Sequence, residues 1–468
     1  MEILKTDTLI LGGGVAGYVA AIRLGQKGVD TVLVEKQAVG GTCLNRGCIP
    51  SKAFISSARK YLAVKNAAVF GITGGENVGI DMAAIQSHKN TVVKKLTQGI
   101  EQLLKSYKVK VVKSEGRFTS TNTLEITSEN IVVEFKTALI STGSEPVRIP
   151  GIVVDGKHIM ESDHILDIDY IPESITVLGG GVIGIELGQF FSAIGSKVTV
   201  IEAMDQILPG IDEKATRLLG KTLKKMGITV LTSTKLTSAT VVDSRVNYTY
   251  SGPKGDGEGS SSILLVTVGR KPSLKGSGLN ALGLDENARF IEVDDHCRTK
   301  VPGVFAAGDV CGGILLAHRA SHMAEVAAEN IMGGDAVFNP IAIPAVCYSM
   351  PEIATTGLDP KQAAEKGIAF KVGTFPYAAN GRALAGGDTE GFIQIVSNEE
   401  TGVIIGAQIV SPEGSELLTE LHLAVEKQMK VTDIAHTIHA HPTLSEAIME
   451  AAMSISGGAI HIPGERKK

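Results

Sequence analysis

Two cysteines, Cys43 and Cys48, are the residues of this sequence most able to do chemistry, and they lie five positions apart. On a regular α-helix the Cα atoms of two such residues are about 8.6 Å apart, whereas a disulfide bond needs less than about 7 Å. Gly47 and Pro50 flank Cys48 and favour a break in the helix there. A disulfide across such a distorted turn would be strained and oxidising, which predicts a redox role rather than a structural one.

The same two cysteines admit two other interpretations, a pair of reduced thiols in a core or half of a zinc site. The remaining cysteines are scattered singly and supply no second pair of ligands, which argues against zinc. They are most simply small buried apolar residues, namely Cys297, Cys311 and Cys347. We expect no metal site, because the helical spacing of His318, His322 and Glu325 also lacks a fourth ligand.

A second candidate lies near the other end of the chain, where Glu446 follows His441 by five residues. A carboxylate at this distance can orient an imidazole that acts as a general base. A thiol with an ordinary pKa near 8.5 needs such a base to react quickly at neutral pH. Taken alone, the same two residues are also compatible with an ordinary surface or packing pair.

The elements that must position these residues form an internal repeat. An apolar strand runs into a helix through a G-x-G-x-x-G turn, and the strand after that helix ends in an acid. The pattern recurs 167 residues further on, counted from Gly12 to Gly179, with the same internal spacing. The first copy contains Gly12, Gly14, Gly17 and Glu35, and the second contains Gly179, Gly181, Gly184 and Glu202.

Each part of this pattern has a physical use in binding a dinucleotide. The glycines allow a tight turn, close approach of a pyrophosphate and close packing of helix on strand, and the helix N-terminus holds the phosphates. The acid accepts hydrogen bonds from ribose hydroxyls. One copy alone could be a glycine-rich turn without a ligand, but two matching copies predict two dinucleotide sites.

Composition excludes several other classes of protein. The 468 residues suggest about three domains, and a net charge of −5 gives no pull towards nucleic acid or an anionic membrane. An apolar fraction of 43% supports large cores, and no stretch is long and apolar enough to span a membrane. The five cysteines, an odd number, and the absence of a recognisable leader favour the reducing cytoplasm.

The motifs extend along the whole chain. Besides the two glycine turns, they comprise residues 40–52 around the cysteines, 141–143 (STG), 268–272 (VGRKP), 299–309 (T-x4-VFAAGD) and 439–446. In this number and order they resemble the pyridine nucleotide–disulfide oxidoreductase family, and within it the members that oxidise a lipoyl dithiol. The resemblance implies an enzyme that uses FAD and NAD.

The resemblance also implies a fold and an assembly. The fold is α/β, with two Rossmann-like dinucleotide-binding domains and a C-terminal α+β interface domain. We predict an FAD domain from residues 1–145 and 270–340, an NAD domain at 146–269 and a dimerisation domain at 341–468. The protein should be a homodimer whose histidine serves the active site of the other subunit. Residues 251–262, rich in glycine and serine, are predicted as a loop that forms the tip of a hairpin in the NAD domain.

Site residues are carried over from the family position by position. The FAD site should contain Gly12, Gly14, Gly17, Glu35, Lys52, Thr142, Gly143, Asp309 and Ala317, the last at the N-terminus of a helix aimed at the flavin. The NAD site should contain Gly179, Gly181, Gly184, Glu202 and Gly269. Lys52 is expected to pair with Glu186 beside the nicotinamide. Residues 203–205 offer no cation for a 2′-phosphate, which favours NAD over NADP.

The implied mechanism has two stages. A substrate dithiol, deprotonated by His441 while Glu446 holds the ring, attacks Cys43 and leaves Cys48 as a thiolate against the flavin. Electrons then pass through FAD to NAD. The dithiol would be a small molecule or be borne by a lipoyl-bearing acyltransferase or a glycine-cleavage carrier protein.

Two alternatives to this function remain open. One is another disulfide reductase such as glutathione reductase, which the missing 2′-phosphate arginines disfavour. The other is a non-catalytic flavin-binding assembly subunit, which the intact cysteines and His441 disfavour. Arg46, between the cysteines, replaces the apolar residue of several family members and is either a thiolate-stabilising cation or a solvated side chain.

Overall fold

The computed structural model describes residues 2–463, apart from the side chain of Thr127. The chain divides into two compact units, one formed by residues 1–172 and 263–339 and the other by residues 173–262 and 340–468. The boundaries of the predicted domains stay a prediction, and their extreme ends, Met1 and residues 464–468, lie outside the described residues. Within residues 2–463 no helix has the length and apolar character needed to cross a membrane.

The strands are numbered here in chain order. They are β1 Glu2–Leu11, β2 Thr31–Val34, β3 Lys110–Val112, β4 Arg117–Ser120, β5 Thr123–Ile126, β6 Ile131–Ile140, β7 Ser144–Pro146, β8 Ile159–Glu161, β9 Ser174–Leu178, β10 Lys197–Ile201, β11 Thr229–Leu231, β12 Lys235–Val242, β13 Arg245–Gly252, β14 Gly255–Ser261, β15 Ile263–Val266, β16 Arg270–Pro272, β17 Val304–Ala306, β18 Ala345–Cys347, β19 Glu352–Gly357, β20 Phe370–Pro376, β21 Phe392–Asn398 and β22 Ile404–Ser411.

The α-helices are numbered in the same way. They are α1 Val15–Gln26, α2 Gly41–Arg46, α3 Cys48–Lys65, α4 Met82–Ser106, α5 Ser162–Ile165, α6 Val182–Ala193, α7 Glu213–Lys225, α8 Ala317–Ile331, α9 Pro360–Glu365, α10 Gly381–Gly386, α11 Gly414–Glu426, α12 Val431–Ala435 and α13 Glu446–Ser456.

A largely parallel sheet organises the first unit. Its strand order is β3-β2-β1-β6-β5-β4, with β17 also paired to β6. Strands β2, β1, β6 and β17 run parallel and end in register, since Leu11 pairs with Val34 and Ile140, and Ala306 also pairs with Ile140. Their apolar residues are buried in one continuous core. The loops that follow these strands therefore leave from one edge of the sheet, which is where ligands bind in such folds.

The second unit repeats this arrangement on a smaller scale and adds an antiparallel sheet. Strands β9, β10 and β11 are parallel, and Ile201 pairs with both Leu178 and Leu231 at their carboxyl ends. The antiparallel sheet has the order β18-β19-β22-β21-β20. Helices α11, α12 and α13 cover it through a separate apolar core. The β-α-β pattern predicted for residues 175–202 is thus present in this unit.

One element was predicted only in part, since residues 253–254 do form the tip of a hairpin between β13 and β14. Residues 251–262 are not a loop, because β14 occupies Gly255–Ser261 and pairs with β13 along its whole length. The glycines are there to make room for aromatic rings, since a Cβ at Gly257 would lie 2.5 Å from the Tyr250 ring and one at Gly259 would lie 2.4 Å from the Tyr248 hydroxyl. Composition alone could not distinguish such packing from a flexible loop.

Candidate redox site and dinucleotide-binding turns

The first glycine turn follows β1 and can be made only by glycine. Gly12 has φ +101°, and a Cβ there would lie 2.3 Å from the Ser141 carbonyl oxygen, in the loop after β6. A Cβ at Gly17 would lie 1.8 Å from the carbonyl oxygen of Gly12. The turn therefore brings helix α1 and the loop after β6 closer together than side chains would permit.

The N-terminus of α1 is open to an anion. Gly14 precedes the helix and supplies no side chain to cap it, so the first N–H groups of this twelve-residue helix remain for phosphate oxygens. Glu35 follows β2 and is buried beside the turn. Its carboxylate accepts hydrogen bonds from Gly13 N at 2.6 Å and from Gln37 N at 2.8 Å.

The second turn reproduces these contacts residue by residue. Gly179 has φ +106°, Gly181 precedes α6 without capping it through a side chain, and Gly184 is buried in the first turns of that helix. The buried Glu202 carboxylate accepts from Gly180 N at 2.6 Å and from Met204 N at 2.7 Å. Both acids are therefore fixed by the same two backbone contacts, 167 residues apart in each case.

The cysteines lie on either side of a helix break, as their spacing requires. Cys43 is in α2, Gly47 separates the two helices, and Cys48 begins α3. A Cβ at Gly47 would lie 2.9 Å from the carbonyl oxygen of Thr42. Cys43 is partly buried and Cys48 is exposed. The two thiols therefore differ in their surroundings.

The cysteine turn is attached directly to the first glycine turn. Gly40 N donates to the carbonyl oxygen of Gly13 at 2.8 Å. A Cβ at Gly41, which has φ +57°, would lie 2.6 Å from the Cα atom of Gly14. The Asn45 side-chain amide donates to the Gly41 carbonyl oxygen at 2.9 Å. A dinucleotide held at the first turn is therefore held next to the cysteines.

The environment of the two sulfurs distinguishes their roles. The Cys43 thiol donates a hydrogen bond to Cys48, and this bond, burial and the proximity of Cys48 raise the pKa of Cys43 far above its ordinary value. Lys52 opposes this and lowers the pKa. A raised pKa keeps the proton of Cys43 in place in the reduced pair.

Lys52 lies one helical turn after Cys48, at the other side of the pair. Its Nζ donates to Ser51 Oγ at 3.3 Å, and Ser51 Oγ donates to the Cys48 carbonyl oxygen at 3.2 Å. Glu186 belongs to the second unit, is buried in α6 and accepts from Tyr348 N at 2.8 Å. The pairing of Lys52 with Glu186 stays a prediction.

The other residues expected around FAD occupy the same sheet edge of the first unit. Thr142 Oγ1 donates to the Ser273 carbonyl oxygen at 2.7 Å, and Gly143 has φ +73°. Asp309 accepts a 2.6 Å hydrogen bond from Ser144 Oγ. Ala317 is the first residue of α8, whose N-cap residue Leu316 makes no side-chain cap.

Gly269, expected at the NAD site, lies in the turn between β15 and β16. It has φ +113°, and its carbonyl oxygen accepts from Val147 N at 3.0 Å. Arg270, the next residue, donates to Ser144 Oγ at 2.9 Å and to the Ser144 carbonyl oxygen at 2.8 Å. Ser144 thus joins Arg270 to Asp309, a network that the sequence did not reveal.

His441 and Glu446 form the expected pair within the second unit. His441 Nδ1 lies 2.9 Å from Glu446 Oε1, and the imidazole is largely exposed. Glu446 begins α13, and its other oxygen accepts from Thr443 N at 2.8 Å. The Thr443 N–H and the His441 ring lower the pKa of Glu446, so the carboxylate stays ionised while it orients the imidazole.

The neighbouring histidine is used differently. The His439 side chain is only about 6% exposed, and its two ring nitrogens are hydrogen-bonded to the Thr437 carbonyl oxygen at 2.9 Å and to Glu420 at 3.0 Å. His322 and Glu325, considered as metal ligands, face other partners: His322 lies against the Phe338 ring, with 5.6 Å between ring centroids, and Glu325 pairs with Arg23 at 3.5 Å.

Sequence reasoning missed several residues that support the site. Thr443 holds Glu446 through its backbone, and Asn45 holds the cysteine turn. Burial raises the pKa of the Tyr18 phenol on α1, and the nearby Cys43 contributes to the same shift. No local spacing marks these contacts, although Tyr18 stands one residue after a motif glycine.

Comparisons with known proteins identify the family of this chain. The model of the pyridine nucleotide-disulphide oxidoreductase family matches residues 6–324, and that of its dimerisation domain matches residues 343–452. The chain is 45% identical over 462 residues to the dihydrolipoyl dehydrogenase of Geobacillus stearothermophilus, covering 98% of both chains. It is 41% identical to that of Pseudomonas aeruginosa, covering 98% of this chain and 100% of the relative.

A solved structure shows the same fold. LpdA from Mycobacterium tuberculosis superposes with a TM-score of 0.88 at 28% identity, covering 96% of this chain and 99% of the other. The fold and the site therefore define a flavin-dependent disulfide oxidoreductase. The chain belongs to the pyridine nucleotide-disulphide oxidoreductase family and carries its dimerisation domain.

FAD and NAD are the cofactors of this enzyme. The chain fits two dinucleotides on its own evidence, because α1 and α6 both start at uncapped glycine turns with a buried acid alongside. Helix α8 offers a third uncapped N-terminus, and Gly308 keeps it close to α1, since a Cβ there would lie 3.2 Å from Ala16 and 3.4 Å from Ala320.

The buried cysteines outside the pair should be chemically inert. Burial raises the pKa of Cys297 to about 12 and that of Cys311 further, so about one Cys297 thiol in 10⁴ is ionised at pH 8. After mild reduction, iodoacetamide at pH 8 should modify the native protein in the cysteine turn and leave Cys297 and Cys311 unmodified, as measured by peptide mass mapping. Unfolding in guanidinium is the control and should expose both; equal labelling of Cys297 in the native protein would contradict this assignment.

Proposed function

We propose that this enzyme oxidises dihydrolipoamide to lipoamide at the Cys43/Cys48 pair and reduces NAD to NADH. The observation that carries the proposal is the helix break at Gly47, which brings the Cys43 and Cys48 side chains into contact beside the first glycine turn. A substrate that closes its own disulfide as it opens another is the natural reductant of such a pair. Relatives at 41–45% identity carry the name dihydrolipoyl dehydrogenase.

The proposed reaction starts with proton removal. The neutral His441 imidazole takes a proton from one substrate thiol, and Glu446 holds the ring and stabilises its charge. The resulting thiolate attacks Cys43 of the oxidised pair, the bond between the cysteines breaks, and Cys48 leaves as a thiolate. At this point a mixed disulfide joins the substrate to Cys43.

The second half of the exchange releases the product. The other substrate thiol, losing its proton, attacks the substrate sulfur of the mixed disulfide and closes the cyclic product. Cys43 leaves and takes the proton held by His441, and its raised pKa keeps that proton in place. The substrate has then lost two electrons and two protons, and the pair has gained two electrons and one proton; the other proton is released to solvent.

Residues of the two glycine turns would hold the cofactors. FAD would lie on Gly12, Gly14, Gly17, Glu35, Lys52, Thr142, Gly143, Asp309 and Ala317, and NAD on Gly179, Gly181, Gly184, Glu202 and Gly269. Bound FAD supplies the two-electron chemistry that connects the thiols to NAD. Glu186 and Lys52 would lie on the nicotinamide side.

The partners follow from the reaction. We propose a homodimer in which His441 of one subunit serves the cysteine pair of the other, supported by the dimerisation-domain match. The dithiol would arrive as a small molecule, on a lipoyl-bearing acyltransferase of a 2-oxo acid dehydrogenase complex, or on a glycine-cleavage carrier protein. The odd number of cysteines supports a reducing compartment, and we propose the cytoplasm.

Steady-state turnover tests the proposal. Dihydrolipoamide with NAD should be oxidised rapidly, with NADP a poor substitute, as followed by nucleotide absorbance at 340 nm. A preference for oxidised glutathione with NADPH would instead indicate a glutathione-type reductase. A normal flavin spectrum without any turnover would indicate a non-catalytic assembly subunit, and either result would contradict the proposal.

The assignment of the two turns can be tested by a matched pair of substitutions. Glu202→Ala removes the ribose acceptor of the second turn and should raise KM for NAD about tenfold, the equivalent of about 1.4 kcal/mol, while leaving FAD content unchanged. Glu35→Ala, which removes the same contacts from the first turn, should lower FAD content instead. Flavin loss in Glu202→Ala would mean that the two sites are assigned the wrong way round.

A further inference from the structure

Arg46 lies between the two cysteines and has two fixed partners. It is the last residue of α2, directly before the helix break at Gly47. One guanidinium NH₂ group donates to the side-chain oxygen of Gln37. Its Nε forms an ion pair with Asp163 Oδ2 at 3.4 Å that lacks hydrogen-bond geometry, and about a third of the Arg46 side chain is exposed. The side chain is therefore held on two sides rather than solvated.

Gln37 and Asp163, the two partners of Arg46, lie in segments with further hydrogen bonds. Gln37 donates its backbone N–H to Glu35, the acid of the first glycine turn. Asp163 lies in α5, which is closed by reciprocal contacts between Glu161 and His164. The guanidinium thus connects the end of α2 to the segment after β2 and to α5.

The segment after α5 is held as well. Lys89 is almost fully buried in α4, and its Nζ donates to the Leu166 carbonyl oxygen at 3.0 Å and to Asp167 at 2.9 Å. The chain just after α5 is therefore connected to α4, four residues beyond Asp163. The Arg46 side chain, which pairs with Asp163, is therefore joined to a segment that has contacts of its own.

The positive charge of Arg46 is paired with the carboxylate of Asp163. Asp163 neutralises it at 3.4 Å, and the cation that lowers the pKa of Cys43 is Lys52. A planar guanidinium can contact two acceptors at once, which a lysine ammonium at the same position cannot do in the same geometry. The arrangement favours a geometric role for Arg46 over an electrostatic one.

We propose that Arg46 is a positioning residue that favours closure of the Cys43/Cys48 disulfide by anchoring the backbone between the two cysteines. This inference rests on the redox role proposed for the pair. Reduction adds two electrons and one proton and gives one thiol and one thiolate, which are joined only by a hydrogen bond and can separate. An anchored turn limits that freedom, so the reduced form gains less entropy and the disulfide is favoured.

The two possible roles predict opposite results for Arg46→Met. Loss of an anchor favours the separated thiols, whereas loss of a cation disfavours the thiolate and favours the disulfide. We expect the equilibrium with reduced and oxidised dithiothreitol to shift three- to tenfold towards the reduced pair, the larger value equivalent to about 30 mV for two electrons. Arg46→Lys should shift it in the same direction, because it keeps the charge but not both contacts.

The measurement uses the full-length protein with its flavin. Thiols are trapped by alkylation after equilibration and the two forms of the 40–52 peptide are quantified by mass spectrometry, which does not depend on turnover. The pH profile of alkylation should be unchanged in Arg46→Met, since the thiolate loses no cation. Gln37→Ala, which keeps the ion pair, should shift the equilibrium in the same direction by less.

The test of the Arg46 inference includes a matched control variant and three results that would overturn it. Arg23→Met breaks an exposed ion pair with Glu325 elsewhere in the same unit and should shift nothing. A shift of Arg46→Met towards the disulfide, an Arg46→Lys variant equal to the parent, or no shift in any variant would overturn the inference. If the parent pair itself failed to exchange with dithiothreitol, the proposed redox role would fail first, which is a different result.

Discussion

Replacement of Cys43 by serine should abolish the oxidation of dihydrolipoamide. A hydroxyl cannot form the bond that the substrate thiolate opens, so the exchange has no starting point. The side chain is partly buried and close to isosteric with serine, and the fold should persist. We expect turnover in the forward assay to fall below detection while FAD content stays normal. NADH oxidation by an artificial electron acceptor should continue, since it does not require the disulfide.

Another cysteine of the first unit provides the control. Cys297 is fully buried and its Sγ lies 3.5 Å from the Met323 carbonyl oxygen, a contact that a serine hydroxyl can keep. Cys297→Ser should therefore retain most of the parent activity. Substantial dihydrolipoamide oxidation by Cys43→Ser, or equal losses in both variants, would mean that the cysteine turn is not the reacting centre.

The nucleotide-binding turns could be predicted from the sequence because their physical requirements are local. A glycine that must accept a positive φ, such as Gly12 or Gly179, cannot be replaced without strain, and the acid follows at a fixed distance along the chain. The acids Glu35 and Glu202 lie at the same distance from their glycine motifs, and such a repeat of the whole pattern is not expected by chance. The helix break between the cysteines was predictable for the same reason, since Gly47 and the five-residue spacing are both local.

Contacts between distant segments could not be predicted in this way. Arg46 meets Asp163, more than a hundred residues away, and Ser144 meets Asp309 only because β6 and β17 end side by side. The sequence offered two interpretations of Arg46, a thiolate-stabilising cation or a solvated side chain, and its side chain is neither free in solvent nor unpaired. Pairing across a fold depends on register, which no spacing rule supplies.

The strand at residues 255–261 shows a different limit. Glycine and serine usually indicate a turn because they lack side chains that pack, and this reasoning led to the prediction of a loop. In β14 the missing side chains are what the neighbouring strand requires, since the Tyr248 and Tyr250 rings lie over Gly259 and Gly257. Composition takes no account of neighbouring strands, whereas the stability of a strand depends on how its residues pack against those neighbours.

Replacement of His441 by glutamine should reduce kcat/KM for dihydrolipoamide by a factor of about 10² to 10⁴, the usual contribution of a general base. Glutamine can still contact Glu446 but cannot take the substrate proton. Glu446→Gln should cause a smaller loss, because the imidazole remains but loses the charge that orients it at 2.9 Å. Because the pKa of Glu446 is lowered, its carboxylate stays ionised through the ordinary carboxyl range. It becomes protonated, and stops orienting the imidazole, only on further acidification.

A control on the same segment separates chemistry from stability. His436 is exposed at the end of α12 and His436→Gln should leave kcat/KM unchanged. Rates should be measured in both directions from pH 6 to 9, together with FAD content and the melting temperature of each variant. If His441→Gln matched the His436 control in rate, proton transfer would have to be assigned to another residue, whereas a lowered melting temperature with proportional activity loss would assign His441 to structure.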